Sequence, residues 1–186
     1  MLTRLRKYLE FEKKDQTIFD IIIYGSAVKG KEKPRDIDIL IIFLEGSLRE
    51  RLDIIQEIKS KVKKYVANAD IKQILLKELF SVSFLARTSI FLEGISVFNK
   101  KKFCETLGFE SFTLFWYTLE GLTHTQKVKF NYILAGRGMK GVIEDLNGER
   151  IANGAIKIPI ENSLVFEGIL KANRIVYKKK NILEEK

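Results

Sequence analysis

Ile21–Phe43 reads IIIYGSAVKGKEKPRDIDILIIF, and the reading of this stretch decides the fold. An apolar run ends in Gly25-Ser26. A polar, lysine-bearing loop follows. A second apolar run then starts around Asp36 and Asp38 and continues to Phe43. Three isoleucines in succession, Ile21 to Ile23, mark a strand buried on both faces. Residues two apart in a strand share a face. Asp36 and Asp38 therefore leave one face, while Ile37 and Ile39 leave the other.

Two carboxylates held close repel each other, and a buried unpaired charge is costly. A divalent cation removes the conflict. Hard oxygen ligands suit Mg²⁺, which takes one or two protein carboxylates together with substrate phosphates. The Gly25-Ser26 corner offers the other half of such a site. Glycine admits a close backbone approach, and successive N–H groups in a turn cradle an anion. Ser26 adds a hydroxyl. Lys29, Lys31, Lys33 and Arg35 in the intervening loop are placed to screen a triphosphate. A phosphate nest beside a metal-binding aspartate pair is equipment for a nucleoside triphosphate.

Gly25-Ser26, nine intervening residues and then Asp36-Ile37-Asp38-Ile39 resemble the signature of the polymerase beta-like nucleotidyltransferase superfamily. A third acidic element of that pattern is matched by Ala69-Asp70-Ile71. Residues 1–100 carry the resemblance and look most like the minimal nucleotidyltransferases. It implies a mixed sheet with helices, an α+β fold with α/β-type layering. It implies transfer of a nucleoside monophosphate from an NTP to an acceptor hydroxyl, with release of pyrophosphate. Asp36, Asp38 and Asp70 would be the catalytic and metal-holding carboxylates for two Mg²⁺ ions, with Mn²⁺ as a substitute. Gly25, Ser26, Lys29 and Arg35 would hold the phosphates. The acceptor would be RNA, DNA or a protein. An antitoxin-type binding role with a toxin-like protein partner is the alternative that the minimal members offer, and a nucleic-acid-binding protein with little turnover is another.

Outward from this centre, the first hundred residues alternate strands and helices. Residues 2–14 read as a helix with Leu2, Leu5 and Leu9 on one stripe. Thr17 to Tyr24 and Asp36 to Phe43 read as strands. Ser47 is an N-cap. It opens a helix in which Leu48, Leu52, Ile55, Ile58, Val62 and Tyr65 recur at three- and four-residue steps. That helix carries the chain back to a third strand, Ala69 to Leu75. Lys77 to Ser89 is expected to be helical, packing through Leu79, Phe80, Phe84 and Leu85. Ile95 to Phe98 is a short closing strand. Asn99-Lys100-Lys101-Lys102 reads as a polar hinge, dividing a nucleotidyltransferase domain, 1–100, from a C-terminal module, 101–186.

The second half opens on aromatics from Phe103 to Tyr117, expected as a helix docked on the first domain, with base stacking the lesser reading. Thr123-His124-Thr125-Gln126 has the capping-box form and starts a helix ended by Gly136. Gly136-Arg137-Gly138-Met139-Lys140-Gly141 matches GxGxxG literally. A helix rather than a strand precedes it, so the dinucleotide reading fails. It is a basic loop in which Arg137 and Lys140 are candidate acceptor or nucleic-acid contacts. Asn147-Gly148 and Asn153-Gly154 mark turns around short strands, including Ala155 to Ile160. Ser163 to Tyr177 is expected as a closing helix and Lys178-Lys179-Lys180 as a tail. The pattern suits a small α+β module, with a winged-helix-like arrangement among its options.

The formal charge of +9 is spread over both halves and favours polyanionic partners. With one cysteine, Cys104, neither an internal disulfide nor a cysteine zinc cluster can form. One histidine, His124, excludes a histidine metal cluster. No run reaches the ~20 apolar residues of a membrane span, and the N-terminus lacks the pattern of a secretory signal. A cytoplasmic protein is expected.

Overall fold

The computed structural model describes residues 2–25, 28, 36–66 and 68–186. The chain forms two compact units, Met1–Gly108 and Phe109–Lys186.

The first unit is built on a mixed four-stranded sheet of β1 (Ile18–Tyr24), β2 (Ile37–Phe43), β3 (Ala69–Leu75) and β4 (Ile95–Ser96), in the order β3-β2-β1-β4. β1 runs antiparallel to β2 and β4, while β2 and β3 are parallel. A parallel pair needs a crossover, and α2 (Leu48–Val62) supplies it. Ser47 caps α2 in a reciprocal box. Glu50 N–H donates to Ser47 Oγ at 3.3 Å, and Ser47 N–H donates to Glu50 Oε2 at 2.8 Å.

The run of isoleucines divides its side chains between two layers. Ile21, Ile23, Ile37, Ile39 and Ile41 pack with Leu5 and Leu9 of α1 (Leu2–Leu9) and with Ile55, Ile58 and Val62 of α2. Ile22, Tyr24, Leu40 and Ile42 face the opposite layer, with Leu79, Ile90 and Phe103. Each fully buried isoleucine contributes about 1.5–3 kcal/mol of transfer free energy. The expected strands and α2 are thus present. A short 3₁₀ turn, Glu10–Lys14, continues α1.

Between Leu76 and Glu93 the structure departs from the single helix expected over 77–89. It forms two short helices, α3 (Leu76–Leu79) and α4 (Arg87–Glu93), joined by turns. Leu79 is buried, but Phe80 and Leu85 are exposed. Ser81 and Ser83 bond to each other there. Such local serine bonds compete with helix continuation.

The first unit ends after Gly108 rather than at the Asn99–Lys102 hinge. The cause is α5 (Phe103–Thr106), whose Phe103 and Cys104 are buried. Phe103 belongs to the same core cluster as Ile22, and its ring lies 5.6 Å from that of Phe91.

The second unit has a four-stranded antiparallel sheet of β5 (Phe109–Thr118), β6 (Glu149–Ala152), β7 (Ala155–Pro159) and β8 (Val176–Glu185), in the order β6-β7-β5-β8. α6 (His124–Ala135), α7 (Val142–Asp145) and α8 (Ser163–Ala172) complete it. Phe115, Ile156 and Ile158 of the sheet pack against Phe130 and Leu134 of α6 and Phe166 and Leu170 of α8.

Two expectations are corrected here. The aromatic stretch from Phe109 is a central strand, because Ser111, Thr113 and Phe115 alternate inward with period two. The closing helix stops at Ala172, since Arg174 adopts φ 56° and turns the chain into β8. Lys178, Lys179 and Lys180 are therefore strand residues. The two helices and hairpin of the winged-helix-like option are joined by two further strands, β5 and β8. The capping box Thr123/Gln126 and the stop at Gly136, φ 82°, are as read. Among the described residues, no helix is long and apolar enough to cross a membrane.

Candidate active site

Sheet register sets the site. Asp38 on β2 is the direct partner of Asp70 on β3 and of Tyr24 on β1. Partners across a sheet project from the same face. The three side chains therefore form one row, Asp70-Asp38-Tyr24, on the Tyr24–Leu40–Ile42 face. Ile37 and Ile39, on the opposite face, are buried in the other layer.

Gly25 closes the row at the end of β1. Its φ is +74°, a region that L side chains rarely adopt. A Cβ built there would lie 2.1 Å from Asp38 Oδ2. Only glycine lets the corner approach that carboxylate. Val28 N–H donates to Gly25 O at 3.4 Å.

Electrostatics tie the carboxylates together. Asp38 is half-buried, and its carboxyl is pushed above the ordinary 3.8. Desolvation is the largest cause, followed by the negative charges of Asp36 and Asp70, while Lys72 opposes them. Asp36 lies in the bend just before β2 and is exposed. Asp70 is exposed and pairs with Lys72 at 3.1 Å. The Tyr24 hydroxyl is raised above its ordinary 10.0 by burial, with Asp38 and Asp70 adding to the shift and Lys72 opposing it.

The donor chemistry fits a hard divalent cation. The charges of Asp36 and Asp70 bear on Asp38, which holds its proton more tightly through burial first and through those neighbours second. The three carboxylates are not gathered into a finished ligand cage. Among the described residues, no group of three or more His, Cys, Asp or Glu side chains stands ready to hold a metal. Lys72 supplies the compensating charge at Asp70 instead.

The structure thus brings Gly25, Asp36, Asp38 and Asp70 to one end of the sheet. Ser26, Lys29 and Arg35 lie outside the described residues, as do Lys31 and Lys33. Arg137 and Lys140 sit in a loop of the second unit and have local partners. Arg137 stacks over the Tyr132 ring at 5.0 Å, and Lys140 pairs with Glu144 at 3.1 Å. Cys104 is buried and free, and His124 is exposed in the first turn of α6.

Sequence reasoning missed two residues of the site. Lys72 was legible, since it stands two residues after Asp70 and shares its face. Tyr24 was not, because only the register of β1 against β2 sets it opposite Asp38.

No curated protein matches the chain significantly. The family model described as "Polymerase beta, Nucleotidyltransferase" matches residues 6–103, just over half of the chain, a span that contains Gly25, Asp36, Asp38 and Asp70. On that match the chain belongs to the polymerase beta nucleotidyltransferase family.

Proposed function

We propose that this protein is a divalent-metal-dependent enzyme that transfers a nucleoside monophosphate from an NTP to an acceptor hydroxyl and releases pyrophosphate. The observation that carries the reading is the approach of Gly25 to Asp38, with the charges of Asp36 and Asp70 bearing on the same carboxyl.

Asp36 and Asp38 would hold two Mg²⁺ ions, and Asp70 would complete the ligand set of one. Bound there, the cations neutralise charge on the triphosphate and on the transferred phosphoryl group. The remaining work falls to the chain itself. Gly25, Ser26, Lys29 and Arg35 seat the β- and γ-phosphates, Gly25 by leaving backbone N–H groups uncovered. Positioning of the α-phosphate for in-line attack follows from that seating. Asp70, half exposed at its side chain, accepts the acceptor hydroxyl's proton once Lys72 releases it.

Incubation with α-labelled NTPs, Mg²⁺ and candidate RNA or protein acceptors tests the reading. Label is transferred by the wild type and not by an Asp36→Ala/Asp38→Ala double variant that retains its fold. Equal transfer by that variant overturns the assignment.

A further inference from the structure

The C-terminal unit contributes none of these aspartates, yet its own helices cover only one face of its sheet. Its strands and helices run β5–α6–α7–β6–β7–α8–β8, a βαββαβ arrangement with β5 and β7 at the centre. Phe115, Ile156 and Ile158 point to the helices. The alternate residues point away from them.

Register identifies that bare face. Trp116 on β5 lies between Ala155 on β7 and Lys178 on β8. Two residues back, Leu114 lies between Lys157 and Lys180. Trp116 is 43% exposed. Among the described residues its ring pairs with no other aromatic ring and no cation, and neither Lys178 nor Lys180 has a carboxylate partner. At the far end Lys157 is different. It lies over the Phe112 ring at 4.7 Å and pairs with Glu149 at 3.0 Å and Glu184 at 2.6 Å.

We propose that this face binds single-stranded RNA, with a base stacked on Trp116 and the adjoining phosphates held by Lys178 and Lys180. An accessible indole beside two unpaired cations is the combination that single strands use, because every base has a π-face and every linkage a charge. An apolar protein partner suits the face less well. Phe112 is capped by Lys157, and the exposed cations would have to be desolvated. The exposed carboxylates of Glu149 and Glu184 can accept a hydrogen bond from a ribose 2′-hydroxyl, and deoxyribose has none to give. On the nucleotidyltransferase reading, on which this step rests, the bound strand is the acceptor.

Trp116 is the sole tryptophan of the chain, so its fluorescence reports stacking directly. The full-length protein is titrated with a single-stranded RNA of mixed sequence, a DNA of the same sequence and an acidic peptide, with anisotropy of labelled strands read in parallel. RNA quenches the indole emission and binds more tightly than DNA. Trp116→Ala weakens RNA binding by roughly 5- to 150-fold, and Trp116→Phe weakens it less. Lys178→Gln/Lys180→Gln makes the salt dependence shallower by about 1.4 in log–log slope.

RNA binding without quenching, or unaltered in Trp116→Ala, overturns the proposal. So does equal affinity for DNA, or quenching by the acidic peptide alone. The two readings fail separately. Unaltered RNA binding by an Asp36→Asn/Asp38→Asn protein, with no transfer by the wild type to any acceptor, sinks the enzyme and leaves the RNA face. Transfer to a protein acceptor that Trp116→Ala does not slow sinks the RNA face and leaves the enzyme.

Discussion

Asp38 and Asp70 stand abreast across the parallel strands β2 and β3. Neighbouring strands lie about 4.8 Å apart, so two carboxylates at matching positions on one face are held near each other by backbone hydrogen bonds. The sheet thereby brings the charges of these two side chains together. Three consequences can be measured at this site, and two further tests lie elsewhere in the chain.

Gly25 is the first. A methyl group there meets Asp38 Oδ2 at 2.1 Å, and the backbone is in the left-handed region. Gly25→Ala is expected to displace the carboxylate and lower transfer about 10²-fold, the cost of an error of roughly 1 Å in positioning. Steady-state transfer assays check this, and circular dichroism verifies that the sheet persists.

Cation removal is the second. Mg²⁺ with a non-hydrolysable NTP analogue, at 100 times its Kd, stabilises the native state by about 2.7 kcal/mol. That is a rise of roughly 5–10 °C in melting temperature for a chain of this size. Chelation by EDTA reverses the rise. The Asp36→Asn/Asp38→Asn protein shows none. Differential scanning fluorimetry with and without EDTA reads both results.

The third concerns pH. The Asp38 carboxyl is raised by burial and by its acidic neighbours. Its folded value thus exceeds its unfolded one. The stability it contributes is fully present below 3.8 and is lost as pH rises through the raised folded value. In EDTA, Asp38→Asn should melt above the wild type at pH 7, with the gap closing as pH falls toward 3.8. A gap that is constant with pH would contradict the assignment.

Glu167 gives the opposite sign in the second unit. Lys179, Tyr177 and Lys171 all bond to it, and its carboxyl is lowered to about 2. Tyr177 Oη donates to Glu167 Oε1 at 2.6 Å, which ties β8 to α8. This contribution is present above the ordinary 4.5 and is lost as pH falls toward 2. Glu167→Gln is expected to lower the melting temperature at pH 7 and to flatten the acid limb between those values, as a thermal melt series in acid will reveal.

The boundary of the first unit provides a fifth test. Phe103 is buried beyond the polar hinge. Phe103→Ala is expected to cost about 3–5 kcal/mol, measured by urea unfolding. A fragment ending at residue 100 should be correspondingly less stable than one ending at Gly108.

Sequence alone determined the centre of this protein. Gly25, Asp36 and Asp38, the buried strands and α2 were legible because each rests on a local rule (period two, period 3.6, a cap, or a glycine corner ahead of paired aspartates), whereas Asp70 was read through the family resemblance. The tertiary structure decided the rest. Partnership of Asp38 with Asp70 and Tyr24 is a matter of register between segments distant in the chain. The second unit resisted reading for the same reason. An aromatic run such as Phe109–Thr118 has no fixed conformation until partners hydrogen-bond to both of its edges, and Val176–Glu185, largely polar, becomes a strand only because β5 offers it ten residues of edge.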